Sequence, residues 1–226
     1  MKSLLYRFYA LIFNISRLLF PLKENRVAFV SMHNENFNDS LGCVYEKIKE
    51  SGKYETVLIT RRDLSLSEPL RLFSFFFLKS RLLASSKYVF LNDNFMPMGM
   101  LNFRKEAVIT QLWHAEGAFK KFGMDIPQPE RVRKNEAAGN KKLTYVVCSG
   151  EGVRGIYSSA FAIDEERVLP LGAPRADFLF DEKNKQKAKE KLLSLYPELE
   201  GRKVVLYAPT FRGRVAKAKT PNVLDL

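Results

Sequence analysis

Residues 107–123 read AVITQLWHAEGAFKKFG. The first part, 107–113, is apolar at most positions and rich in β-branched side chains. That predicts a strand covered on both faces, as in a parallel sheet. Where the strand ends, the sequence presents His114, then Ala115, Glu116 and Gly117, then Lys120 and Lys121. Ligands in open α/β sheets bind beyond the C-terminal ends of the strands. An imidazole suits general-base work, small residues allow close backbone approach, and paired cations suit a phosphate. A loop histidine satisfied beside a packed Trp113 accounts for the same residues without chemistry.

On either side of this stretch, short β-rich runs alternate with helical patterns. Strands are predicted at 27–31, 56–60, 88–91, 145–148, 167–169 and 203–208, and helices at 41–50, 69–85, 129–139, 153–162 and 183–196. This alternation predicts a doubly wound α/β fold with a mostly parallel sheet. Three segments are expected: a helix over 1–22, an α/β domain over 23–200, and the start of a second domain over 201–226. The run at 203–208 leads into Pro209, Thr210, Phe211 and Arg212, which read as the start of a strand-to-helix turn. A buried strand needs a returning helix to cover it, so either the tail packs atypically or the chain is the N-terminal part of something longer, and the second is expected. The basic run KNKQKAKEK at 183–191 reads as a solvated helix face.

With 226 residues, 46% of them hydrophobic, the chain can bury a core without disulfides. Its 18 Phe and 9 Tyr exclude disorder. Cys43 and Cys148 form no CxxC pair and read as core thiols in a reducing compartment. With only His33 and His114, a His-rich metal site has no basis. Lys and Arg number 37 against 25 Asp and Glu, a formal charge of +12 that favours polyanionic partners. The basic residues are dispersed rather than striped among stacking aromatics, which argues against nucleic acid. An anionic membrane or a phosphorylated substrate remains.

Residues 4–20 read LLYRFYALIFNISRLLF. On a helix, Ser3, Arg7, Asn14 and Arg17, with small Ala10 between them, align into one narrow polar stripe. Arg17 interrupts any signal-peptide core, and Arg7, Asn14 and Arg17 interrupt a membrane span. The pattern fits an interfacial helix, with Arg7 and Arg17 at the headgroups and Leu11, Phe13 and Leu18 in the acyl boundary. A helix packed on its own domain gives a similar pattern.

Three further motifs stand out. In Gly172-Ala-Pro-Arg-Ala-Asp177, Pro174 fixes the backbone while Arg175 offers a planar fork for a phosphate. A turn closed by an Arg175–Asp177 pair fits as well. Gly150-Glu-Gly-Val-Arg-Gly155 matches GxGxxG, but Glu151 would repel a pyrophosphate. Ser149 as helix cap, with Glu151 in the first turn, explains that segment without a ligand. His33 follows the first strand and either lines an acceptor pocket or belongs to a capped turn.

In order and spacing, Trp113-His114 with Lys120-Lys121-Phe122-Gly123, then Gly172-x-Pro-Arg175-x-Asp177, then Leu206-Tyr-Ala-Pro-Thr-Phe-Arg212 resemble the CDP-glycerol glycerophosphotransferase family of teichoic acid synthesis. The stretch 145–179 is similar to that family too. The resemblance implies the Rossmann-like N-terminal half of a GT-B-type fold. It also implies transfer of glycerol phosphate from CDP-glycerol to a lipid-linked, polyprenyl-type acceptor by a peripheral enzyme at the cytoplasmic membrane face. His114 would be the general base, and Trp113, Ala115, Glu116, Gly117, Arg175, Pro209 and Thr210 would contact the donor. His33, Lys120, Lys121 and Arg212 would be further phosphate or acceptor contacts. No cofactor is implied beyond the donor substrate, and a divalent metal is left open. Many members read Trp-His-Gly-Thr-Pro where this chain has Ala115, Glu116 and Gly117, a variant more like members that add the first unit. The competing expectation is a non-catalytic remnant or membrane-bound binding fragment.

Overall fold

The computed structural model describes residues 2–32, 39–65 and 67–208. His33, Pro209, Thr210 and Arg212 lie outside the described residues. The chain divides into two compact units, Met1–Phe178 and Leu179–Leu226.

The first unit opens with helix α1 (Lys2–Leu19), followed by β1 (Lys23–Ser31), α2 (Ser40–Glu50) and β2 (Glu55–Thr60). A helical stretch then runs as α3 (Pro69–Ser74), a π-helical segment (Phe75–Lys79) and α4 (Ser80–Ala84). The sequence pattern predicts one helix here. The wider π turn lets consecutive Phe75 and Phe76 both be buried, with Phe75 stacked on Tyr9 of α1. Next come β3 (Ser86–Leu91), β4 (Val108–Gln111), α5 (Glu130–Asn140), β5 (Tyr145–Val147), α6 (Arg154–Phe161) and β6 (Val168–Leu169), and α7 (Asp177–Phe180) begins at the end of this unit.

All six strands are parallel, in the order β2-β1-β3-β4-β5-β6. Central β1 is buried on both faces, as its unbroken run from Arg26 to Ser31 requires. Ala28 and Val30 point into a large core with α1, α4 and α6, while Val27 and Phe29 point the other way, against Leu41 of α2. The fold is a doubly wound, Rossmann-like α/β sheet preceded by a helix. Buried Arg26 makes two bonds, of 2.8 and 3.0 Å, to Glu55 on β2. These hydrogen bonds hold the Glu55 carboxyl below the usual carboxylate range and fix the β1–β2 register.

Helix α1 departs from the expected orientation. Phe13, expected in the acyl boundary, is fully buried and packs edge-on against Phe103. The polar stripe faces the protein at Asn14, whose side chain bonds the Met100 carbonyl and the Asn102 amide at 3.2 and 2.9 Å. Arg17 is half-buried, whereas Arg7, Leu11 and Leu18 are exposed. Asn14 turns inward because an adjacent loop supplies polar partners that it matches, and Tyr9 and Phe13 beside it are buried. Among the described residues, no helix is long and apolar enough to cross a membrane.

The second unit contains α8 (Glu182–Leu195), capped by the Asp181 carboxylate, which accepts from Lys183 N at 2.8 Å. Its basic run is solvated, with no buried residue on the helix. Residues 202–208 are not the predicted strand: they form no regular structure, and Val205 and Leu206 are nearly fully exposed. An apolar run becomes a strand only where a neighbouring strand takes its backbone hydrogen bonds, and none does so among the described residues.

The two sides of α1 are expected to respond differently. Phe13→Ala should cost about 3–5 kcal/mol, a fall in melting temperature of roughly 6–20 °C for a unit of this size. Leu11→Ala, on the exposed side, should stay within about 0.5 kcal/mol. Thermal melts of the two variants check this.

Candidate active site

Because every strand is parallel, the loops after β1, β3, β4, β5 and β6 leave the same edge of the sheet. The strand order reverses between β1 and β3, where an open α/β sheet has its crevice. Two buried residues meet there. Asn92, following β3, donates through Nδ2 to the Asp39 carboxylate, which also caps α2 by accepting from Leu41 N at 3.0 Å. The Asn92 carbonyl lies 3.1 Å from Nδ1 of His114. A carbonyl only accepts, so Nδ1 carries the proton and the lone pair of the neutral ring is on Nε2. A buried backbone group thereby sets the tautomer that a general base needs, on a histidine whose side chain is exposed.

The chain leaves β4 through an unusual turn. Trp113 has φ 60°, a left-handed conformation rarely taken by a bulky residue. Its amide donates to Gln111 Oε1 at 3.0 Å, and the Gln111 side-chain amide donates to the Asp93 carbonyl at 3.2 Å. The indole is buried, stacked on Phe122 with centroids 5.3 Å apart and edge-on to Phe161 at 5.2 Å. The His114 ring lies against it at 4.0 Å. Phe122 is brought in by Gly123, at φ 57°, where a Cβ would collide with the Ala160 carbonyl. From α6, fully buried Tyr157 donates to the Ala115 carbonyl at 2.7 Å. Burial, above all, pushes the Tyr157 hydroxyl up to about 12, so it remains a donor.

The loop after β6 reaches the same place. Gly172, at φ 91°, donates to the Cys148 carbonyl at 3.1 Å, and Pro174 begins a single 3₁₀ turn that carries Arg175. Arg175 pairs with Glu116 at 2.5 Å rather than with Asp177. The structure therefore brings together Trp113, His114, Ala115, Glu116, Gly117 and Arg175. Lys120 and Lys121 are exposed further along the loop, and no carboxylate among the described residues pairs with either. The GxGxxG match is not a packed cradle: a Cβ at Gly150 or Gly152 would touch nothing within 4 Å. Ser149 is not the cap expected there. Gly150 holds that position without a side-chain bond, and Glu151 pairs with Arg154 at 3.0 Å.

Residues 11–225 match the family model described as CDP-glycerol:poly(glycerophosphate) glycerophosphotransferase. The chain belongs to that family. It is 36% identical over 210 residues to the teichoic acid poly(ribitol-phosphate) polymerase of Bacillus spizizenii, a match covering 89% of this chain and 32% of the relative. It is 32% identical to the teichoic acid ribitol-phosphate primase of the same organism, covering 86% of this chain and 51% of that protein. The chain thus spans about a third to a half of the length of these relatives. A variant of the wall teichoic acid polymerase TagF superposes with a TM-score of 0.67 at 20% identity, over 93% of this chain and 54% of that one. That likeness bears on the fold, which is GT-B-type in this family member.

Asn92, Asp39 and Tyr157 escaped the sequence reading. A signal existed for the first: Asn92-Asp93-Asn94 is a polar cluster directly after an apolar strand, where a capped turn or a site is expected. Tyr157→Phe removes the bond to the Ala115 carbonyl and should cost about 0.5–1.5 kcal/mol. Tyr157 holds its proton to about 12, against about 10 in an unfolded chain. Its stabilising contribution is therefore complete below about pH 10 and lost as pH rises from there towards 12. Urea titrations across that range should show the loss in the wild type and a smaller one in Tyr157→Phe.

Proposed function

We propose that this protein transfers glycerol phosphate from CDP-glycerol to a lipid-linked teichoic acid precursor at the cytoplasmic face of the membrane, with His114 as general base. The observation that carries this reading is the Asn92 carbonyl on His114 Nδ1, which puts the lone pair of the neutral ring on Nε2. The acceptor hydroxyl oxygen attacks the β-phosphorus of the donor as its proton passes to His114 Nε2. The bond from that phosphorus to the bridging oxygen breaks, and CMP leaves. Arg175, the Thr210 hydroxyl and loop backbone N–H groups would stabilise charge on the phosphoryl oxygens, with Pro209 of the family's Ala-Pro-Thr turn contacting the donor. Trp113, Ala115, Glu116 and Gly117 would line the donor, and residues from 201 onward would begin the domain that holds its nucleotide. His33, Lys120, Lys121 and Arg212 would meet the phosphates or the acceptor.

A second donor has its own support. Two of the most similar relatives are a ribitol-phosphate polymerase and a ribitol-phosphate primase, so CDP-ribitol is the alternative. Both donors present the same pyrophosphate to His114 and Arg175. Assays of the full-length protein with each donor separate them. In either case His114→Ala should lower turnover about 10²- to 10⁴-fold with donor binding nearly unchanged. Near-normal turnover would remove His114 from the mechanism.

Peripheral membrane attachment is proposed through α1. Leu4, Leu11 and Leu18 project from it at 72%, 55% and 75% exposure, beside exposed Arg7. Exposed Phe73 and Phe77 extend the apolar surface, with Phe8 of α1 lying against Phe77. Such a patch rimmed by cations suits an anionic bilayer. Deleting α1 would also strip Tyr9 and Phe13 from the core, so substitution is the cleaner test. Replacing Leu4, Leu11 and Leu18 together by Glu should abolish co-sedimentation with anionic vesicles while the protein stays folded. Unchanged binding would refute attachment through this face.

A further inference from the structure

The Glu116–Arg175 pair is not explained by the reaction as proposed. It joins the loop after β4 to the loop after β6, two positions beyond the base, across 59 residues of sequence. Both side chains are about two-fifths exposed, so the pair is not a buried structural bridge. Exposed pairs of this kind are weak and are exchanged readily for a better partner. A carboxylate and a phosphate make the same planar, charge-assisted contact with a guanidinium, but the phosphate carries more charge and more acceptor oxygens. The loop beneath is well anchored: Tyr157 holds Ala115, and the fields of both Glu116 and Arg175 reach the Tyr157 hydroxyl. Glu116 can therefore let go of Arg175 without the turn at Trp113 and His114 coming apart.

We propose that Glu116 is an internal stand-in for the donor phosphate. Its carboxylate occupies the Arg175 fork until a pyrophosphate oxygen of the donor arrives and displaces it. Glu116 thereby lowers donor affinity and keeps Arg175 aimed at the loop that carries the base. This rests on the reading of Arg175 as a donor-phosphate ligand, and it gives Glu116 a competing role in place of the donor contact implied by family resemblance. No bond is made or broken in the exchange, and the same logic holds for CDP-glycerol and CDP-ribitol.

The test is a double-mutant cycle on the full-length protein, read as the dissociation constants of CDP-glycerol and of CDP-ribitol by calorimetry, with circular dichroism to confirm folding. Glu116→Gln should tighten binding of the donor used by about two- to fivefold, the range expected when a competing exposed ion pair is removed. In an Arg175→Ala background, Glu116→Gln should change nothing. Equal tightening in both backgrounds would mean general charge repulsion and overturn the exchange. Weaker binding in Glu116→Gln would make Glu116 a donor ligand and overturn it as well. If Arg175→Ala alone leaves both affinities unchanged, it is the donor-site reading of Arg175 that fails.

Discussion

The site depends on how the chain leaves β4. A strand buried on both faces cannot bend gradually into a loop, because its backbone groups are tied to β3 and β5. It leaves abruptly at Trp113, in a left-handed conformation that costs about 1–3 kcal/mol for such a residue. That cost is offset where the indole is seated, between Phe122 and Phe161, since aromatic pairs contribute beyond simple burial. The consequence is directional. With Trp113 turned down into the core, the next residue is turned out, and His114 is exposed directly above it. Phe122, Gly123 and Phe161, none of which carries chemistry, thus decide where the imidazole stands.

A second layer holds the imidazole's orientation. Asp39 caps α2 and takes the Asn92 side chain, and the Asn92 carbonyl faces His114. The arrangement links β1, β3 and β4 at the place where the strand order reverses. Here the sheet topology places a fixed backbone acceptor beside the site, while Tyr157 pins the following residue from α6. The imidazole and the residue after it are held from two sides by groups buried in the domain.

Helix α1 shows one sequence pattern serving two surfaces. A helix apolar nearly all round would be expected either deep in a core or in a membrane. Here Tyr9, Ala10 and Phe13 complete the core against α4 and the π segment, while the opposite side stays bare. Of the polar residues in its stripe, Asn14 points inward, where a loop meets its hydrogen bonds, while Arg7 stays exposed.

The sequence by itself determined the elements and the layering. Apolar runs of strand length and helical repeats placed all six strands of the sheet and the major helices, because burial on one or two faces leaves a local periodic signature. It also determined which residues stand at strand ends, His114 and Arg175 among them. It misjudged residues 203–208 for the same reason: local apolarity does not say whether a partner strand is present. Only the tertiary structure decided that Arg175 meets Glu116 rather than its near neighbour Asp177, that Asn92 faces His114, and that Asn14 of α1 turns inward. Those contacts join residues 59, 22 and 86 positions apart. Such pairings follow from the order of strands in the sheet, a global property that no local periodicity encodes.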